Sequence, residues 1–237
     1  MRLDQAVAAR NAEISRRQAR DLIAQRRVLV NDRPVAVASR EVSDRDRIAI
    51  VDAHAELDVI RETNDWIAIN KPSGLPAQPV RGRDQRSLEE LLRMRYREIF
   101  VVHRIDTQTS GVIVFAKTRT AAARLSELFA SRQIRKTYLA AIEGALEGET
   151  RIDAPIEGKE ALTIVRPLRD GLVEAEILTG RMHQIRIHLS SIGHPVIGDR
   201  RYGSKAPAER MLLHAWKLEH PSLGELVAPP PAELAPV

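Results

Sequence analysis

The sequence predicts an α+β protein in two parts, and three observations predict it. Helix-period stripes and short alternating runs both occur within residues 1–52. After a linker-like interval at 53–58, strand and helix patterns alternate again from 59 to 226. The chain has 237 residues, 43% hydrophobic and 29% charged, which is enough length and apolar content for one large domain or two smaller ones.

In the N-terminal part, Leu3, Val7 and Ala8 mark a short amphipathic helix. Ser15-Arg16-Arg17-Gln18 is a capping box, in which Ser15 caps the next helix and Gln18 reaches back to it. Ala19, Leu22 and Ile23 form that helix's apolar stripe. Val28, Val30 and Val35 flank the turn-prone pair Asn31-Asp32 as a hairpin, and Ile48 with Ile50 offers a further strand. Arg16, Arg17 and Arg20 sit at the start of the capped helix, where a cation opposes the dipole at about 0.3–1 kcal/mol each. A solvated face would explain them, and so would a phosphate docking where amides and arginines converge. Their wrong-end position favours the phosphate.

In the larger part, Val59-Ile60 and Trp66 to Ile69 read as strands around the turn Thr63-Asn64-Asp65, and Lys71-Pro72-Ser73-Gly74 ends the second. Ser87 and Glu90 form another capping box before Leu88, Leu91 and Leu92. Val112 to Phe115 is a buried strand, and Leu125, Leu128 and Phe129 mark a helix. Tyr138, Ala140 and Ile142 share one face of a strand, and Glu174 to Leu178 alternates as another. Ile185, Leu189 and Ile192 form a helical face that Gly193 stops. The tail 227–237 is Pro-rich and poor in core formers, so disorder or an extended path is expected.

Composition excludes several classes. With no cysteine there are no disulfides, thiolate zinc sites or cysteine nucleophile. The first residues lack the apolar stretch of a signal peptide, and no apolar run nears the ~20 residues of a membrane span. The expected compartment is therefore cytoplasmic. The net charge of +5 agrees with a polyanionic partner without requiring one. Of 37 basic residues six are Lys and 31 Arg, a bias that codon composition or bidentate phosphate contact could each produce. Aromatics, at 3%, are too few for a stacking groove that binds any single strand.

Three constellations could carry chemistry. The first is His103-Arg104-Ile105-Asp106-Thr107-Gln108-Thr109-Ser110-Gly111, where Asp followed by Thr, Ser and Gly is first of all an Asx-turn signature. The second runs from Gly180 to Leu189. Arg186 lies beside that helix's buried face near its start, so it calls for a carboxylate partner. His183 and His188 are five apart rather than four, which does not aim both at one metal. The third is Arg135-Lys136-Thr137-Tyr138, whose tyrosine suits a half-buried core site or a base-stacking one.

Taken in order, the strings NKPSG, HRIDTQTSGVIVFAKT, RKTYLAAIEG, TGRMHQIRIHLSSIGHPVIGDRRYG and LLHAWKLEHP closely resemble the RluA-type pseudouridine synthases. The likeness spans about residues 59–222, with Ile105 where Leu is usual, a volume-conserving change. Residues 1–52 resemble an S4-type RNA-binding domain, with Arg26 and Asp32 where that family has glycines.

The resemblance implies an S4-like module ahead of a catalytic domain built on a mixed, largely antiparallel sheet. It implies an isomerase that breaks the N1–C1′ bond of a flipped uridine, turns the uracil and rejoins it through C5. No metal, nucleotide or flavin is implied, and neither a Walker A pattern nor GxGxxG occurs. Asp106 matches the catalytic carboxylate, as nucleophile or base, and Arg186 would hold it charged with a lowered pKa. Tyr138 matches the tyrosine that packs on the base and helps remove the C5 proton. Arg104 matches the side chain that fills the gap left by the base, Lys71 is expected to line the cleft, and Arg16, Arg17 and Arg20 to grip RNA. The expected partner is structured RNA, ribosomal RNA before transfer RNA, bound by a monomer. Two other classes remain open: a non-catalytic RNA-binding or ribosome-assembly factor on the same fold, and a hydrolase. The hydrolase lacks a Gly-x-Ser-x-Gly elbow.

Overall fold

The computed structural model describes residues 1–11, 13–24, 27–31, 33–50, 57–80 and 86–236. Arg26, Asp32 and the predicted linker residues 53–56 lie outside them. The chain divides into two compact units, one of residues 1–56 with 79–97 and one of 57–78 with 98–237.

The first unit holds α1 (Leu3–Arg10), α2 (Arg16–Ala24), β1 (Val28–Val30), β2 (Arg33–Val35), β3 (Ile48–Ile50) and α3 (Leu88–Arg93). Its three strands run antiparallel in the order β2-β1-β3. The apolar positions picked out by period make its core: Leu3, Val7, Ala19, Ile23, Val28, Val30 and Val35 are all buried together. The Ser15 amide donates to the Gln18 side chain at 2.8 Å, and the Gln18 amide donates to Ser15 Oγ at 3.3 Å, closing the capping box. Asn31 has φ of 52°, the left-handed conformation that a two-residue hairpin needs. Ser87 and Glu90 close the second box at the start of α3.

The wrong-end arginines of α2 have a local explanation. Arg16 and Arg20 both donate to Oδ2 of the fully buried Asp4, at 3.1 and 2.9 Å, and Arg2 adds a third contact. Burial alone would push the Asp4 carboxyl up. Hydrogen bonds from Arg20, Arg2 and Arg16 outweigh that and hold it well below the usual carboxylate range. Their position therefore argues for an ion cluster before a phosphate. Arg17 is exposed and enters no ion pair among the described residues.

The second unit contains β4 (Val59–Glu62), β5 (Trp66–Lys71), β6 (Phe100–Val101), β7 (Ser110–Ala116), α4 (Arg119–Ala130), β8 (Arg135–Ala141), β9 (Thr150–Ile152), β10 (Thr163–Arg169), β11 (Leu172–Ile177), α5 (Gln184–Ser191), β12 (Leu213–His220) and β13 (Gly224–Val227). They form one sheet in the order β4-β5-β7-β12-β8-β11-β10-β9, with β6 on β7 and β13 on β12. Every pairing is antiparallel except β7 with β12, so the sheet is mixed and largely antiparallel, as the resemblance implied. That parallel contact is close. Gly111 has φ of 111°, and a Cβ there would collide with the Ala215 carbonyl oxygen. Beside it, His214 Nε2 faces the Ala228 carbonyl, so it carries the proton, and Nδ1 accepts from Ser110 Oγ at 2.9 Å.

Alternation on β8 sorts the core. Ala140 and Ile142 pack with Val165, Ala175, Ile185 and Leu189 on one face, while Leu139 and Ala141 pack with Leu172 on the other. Leu234 joins this second cluster and is fully buried. Of the disorder or extended path expected for the tail, its described residues take an ordered course. It ends β13 at Val227, buries Ala228 and Leu234, and forms a 3-10 turn at Ala232–Leu234.

Candidate active site

Asp106 sits in a turn between β6 and β7, closed by the Thr109 amide donating to the Asp106 carbonyl at 3.1 Å. The turn signature and the chemical role thus coexist: the backbone makes the turn and the side chain stays available. The loop after β5 pins this turn. The Gly74 amide donates to the Thr107 carbonyl at 2.8 Å, and Ser73 Oγ donates to the Gln108 carbonyl at 2.6 Å. Lys71 completes the clamp, its ammonium donating to the carbonyls of Pro72, Leu75 and Thr107 at 2.9, 2.8 and 3.1 Å.

Lys71 is consequently not a cleft residue. It is fully buried, and its three donors are spent on backbone. Burial pulls it down to about 7, against the opposing pull of Asp106. Three carbonyl acceptors still require an ammonium with three protons, so we assign the charged form. The expectation that Lys71 lines the cleft is corrected: it holds the turn that carries Asp106.

A cleft of about 270 Å³ opens beside that turn, lined by Arg104, Asp106, Lys136, Tyr138, Arg181 and Arg186 among others. Arg186 Nη1 donates to Asp106 Oδ2 at 3.2 Å. The predicted carboxylate partner of Arg186 is therefore present, and there is a second, closer one. Asp199 takes the guanidinium bidentately, at 2.6 Å to Nε and 2.9 Å to Nη2. Burial pulls Arg186 down, but the hydrogen bonds and charges of Asp199, then of Asp106, leave it raised. Arg186 is thus a fixed cation, oriented by Asp199 and presented to Asp106. Its guanidinium also lies 4.9 Å from the Tyr202 ring centroid.

His183 precedes α5 in the left-handed conformation, φ 56°. That conformation brings its Nε2 within 3.7 Å of Asp106 Oδ2 while its Nδ1 meets Tyr202 Oη at 2.9 Å. Burial is the main reason its pKa is lowered, with Asp106 opposing. His188 turns elsewhere: its two nitrogens meet Thr163 Oγ1 and the Ala154 carbonyl, both at 2.9 Å. The two histidines do not converge, in line with their five-residue spacing. Gln184 ties the helix start to the sheet through Thr179, Thr163 and the Leu162 carbonyl.

Tyr138 is half-buried in the cleft wall on β8. Burial first, and then Asp106, pushes its hydroxyl above the usual phenol range. Arg104 is exposed at the cleft wall. His103 is structural. Its ring stacks on Phe129 at 4.0 Å, its Nε2 accepts from the Val114 amide at 2.9 Å, and burial pushes it down to about 3.

The structure thus brings Asp106, Tyr138, Arg186 and Arg104 to one cleft and removes Lys71 from it. Arg16, Arg17 and Arg20 belong to the other unit. Asp199, His183 and Tyr202 were missed in the sequence. The signal for Asp199 was present, since Arg186 called for a carboxylate and the same quoted string contains Asp199-Arg200-Arg201-Tyr202.

A family profile described as RNA pseudouridylate synthase matches residues 65–191, and an S4 domain profile matches residues 1–48. The ribosomal large subunit pseudouridine synthase D of Yersinia pestis is 34% identical over 86% of this chain and 73% of its own length. A dual-specificity RNA pseudouridine synthase of Vibrio parahaemolyticus is 34% identical over 69% and 78%. Among solved structures, human RNA pseudouridylate synthase domain containing 1 has a TM-score of 0.64 at 27% identity, covering 76% of this chain and 85% of that one.

Proposed function

The chain belongs to the RNA pseudouridylate synthase family, and from that premise we propose that it isomerises uridine in ribosomal RNA with Asp106 as the reacting carboxylate. The observation that carries this reading is the carboxylate itself: it is accessible in a cleft and paired to a buried arginine whose other side is neutralised by Asp199.

The target uridine leaves its stack, at a cost of a few kcal/mol that is least in loops. The uracil enters the cleft and lies against the ring of Tyr138. Arg104 fills the vacated space, where a planar guanidinium can stack and hydrogen-bond together. Asp106, aimed by Arg186, acts on the ribose as nucleophile or base while the N1–C1′ bond breaks. The uracil turns and rejoins through C5. No cofactor takes part in this scheme. Residues 1–52 grip structured RNA, with Arg17 better placed to do so than Arg16 or Arg20, which are engaged by Asp4. Residues 59–226 carry out the chemistry, and the protein works as a cytoplasmic monomer.

The name of the Yersinia relative supports ribosomal RNA, and transfer RNA is the second substrate to try. The test is release of tritium from uridine C5 in ribosomal and transfer RNA transcripts. Release from the ribosomal transcript supports the proposal, and release from the transfer RNA alone reassigns the substrate. If neither is processed, bare or within pre-ribosomal particles, the binding-only role is the better account.

A further inference from the structure

One charged side chain in the cleft has no use in that scheme. Lys136 lies on β8 two residues before Tyr138 and on the same face, about 7 Å along the strand. It lines the cleft, and only 8% of it is exposed. Its neighbours are satisfied: His103 accepts from the Val114 amide, Gln184 is held by Thr179, and Arg181 donates to the Glu160 carbonyl. The ammonium of Lys136 has no acceptor among the described residues. It lies beside Gly180, where a Cβ would stand 3.8 Å from its Nζ.

A buried lysine without a counter-ion is costly, and such groups are retained where a ligand supplies the partner. Burial, and then Arg132, lower its pKa, as expected of a cation lacking a counter-charge. We propose that Lys136 donates a hydrogen bond to a carbonyl oxygen of the extruded uracil, O2 or O4, and stabilises the negative charge on the base while it is detached. This rests on reading the cleft as the place where uridine reacts. The pair of the broken N1–C1′ bond stays with the ring, spread over N1, O2 and O4. The ring later supplies a pair from C5 to C1′, and the proton that C5 loses is matched by the one N1 gains. A desolvated donor aimed at that charge acts on the detached base more than on the ground state. The strongly hydrated phosphates of the backbone suit an exposed cation better than this sunken ammonium.

The test compares wild type with Lys136→Met, which keeps the length and removes the charge, on transcripts carrying C5-tritiated uridine. Turnover at saturating RNA should fall by about 100-fold, the effect of losing one such donor. RNA affinity and its salt dependence should hold within about threefold. If affinity drops and the salt slope falls by about 0.7 while turnover survives, Lys136 binds a phosphate and the proposal is overturned. Unchanged turnover and affinity overturn it too. A second arm uses transcripts with 2-thiouridine or 4-thiouridine, whose sulfur is a poorer acceptor. One of them should slow wild type and leave Lys136→Met no slower than it is on uridine. That arm decides even if the variant folds poorly, since wild type indifferent to both sulfurs refutes the contact. Failure of wild type on ordinary uridine would instead fall on the reading of the cleft.

Discussion

Asp199→Ala is the perturbation whose consequence follows most directly from the geometry. Arg186 and Asp199 have side chains only 8% and 2% exposed, joined by two bonds of 2.6 and 2.9 Å. Removing the carboxylate deletes two charge-assisted hydrogen bonds, worth about 1.5–3 kcal/mol each. It also leaves a buried cation short of counter-charge, for which the loss is about 3–5 kcal/mol. Asp106 remains at 3.2 Å and takes up part of the deficit, so the net destabilisation should be about 3 kcal/mol. Released from Asp199, the guanidinium turns toward Asp106 and binds it more fully, which draws the carboxylate away from substrate and lowers turnover. Asp199→Asn keeps one acceptor oxygen and should cost about half as much. Urea unfolding reads the stability as a shifted midpoint at constant slope. A loss below about 1 kcal/mol for Asp199→Ala would refute the claim that Asp199 holds Arg186 in position.

Lys71→Met should take from the Pro72 and Leu75 carbonyls the Lys71 donor and leave Thr107 with the Gly74 amide, lowering stability by about 2 kcal/mol and slowing turnover with RNA affinity little changed; an affinity loss without a stability loss would return Lys71 to the RNA surface. His183 has a lowered pKa when folded, so between that value and 6.5 the unfolded chain binds more protons and stability rises with pH. Acidification below 6.5 should therefore destabilise wild type more than His183→Gln, and parallel stability–pH curves would contradict the assignment. Arg17→Glu should weaken RNA binding and reduce its salt slope by about one or more, whereas an equal slope would show that this helix face touches no phosphate.

Much of the fold was legible because its patterns are local. The capping boxes at Ser15 and Ser87, the apolar stripe of α2 and the strand at Val112 depend on neighbours within a few residues, and each forms as the spacing predicts. Two strands, β12 and β10, were not legible. Over β12 a register shift between Ala215 and Lys217 breaks the period of two, and in β10 Pro167 interrupts the pattern at another irregularity. The tail's ordered course was not legible because Ala228 and Leu234, both fully buried, stand among prolines and do not read as core. Asp106, Arg186 and Tyr138, singled out by the ordered motifs, line one cleft. Asp199 lay unread in the same string as Arg186, whereas His183 depends on a contact with Asp106 across the chain, which residue types cannot pair. Lys71 misled for the same reason: a lysine in a loop motif reads as surface until its three carbonyl partners are seen.

The most direct test of the central claim is C5 tritium release by Asp106→Asn beside wild type on the same ribosomal transcript, with RNA affinity measured in parallel. The variant keeps the volume of the side chain and an acceptor for Arg186 but loses the negative charge. The account predicts release by wild type, none by the variant, and affinities within severalfold of each other. Comparable release by both would show that Asp106 is a turn residue and that the chemistry lies elsewhere.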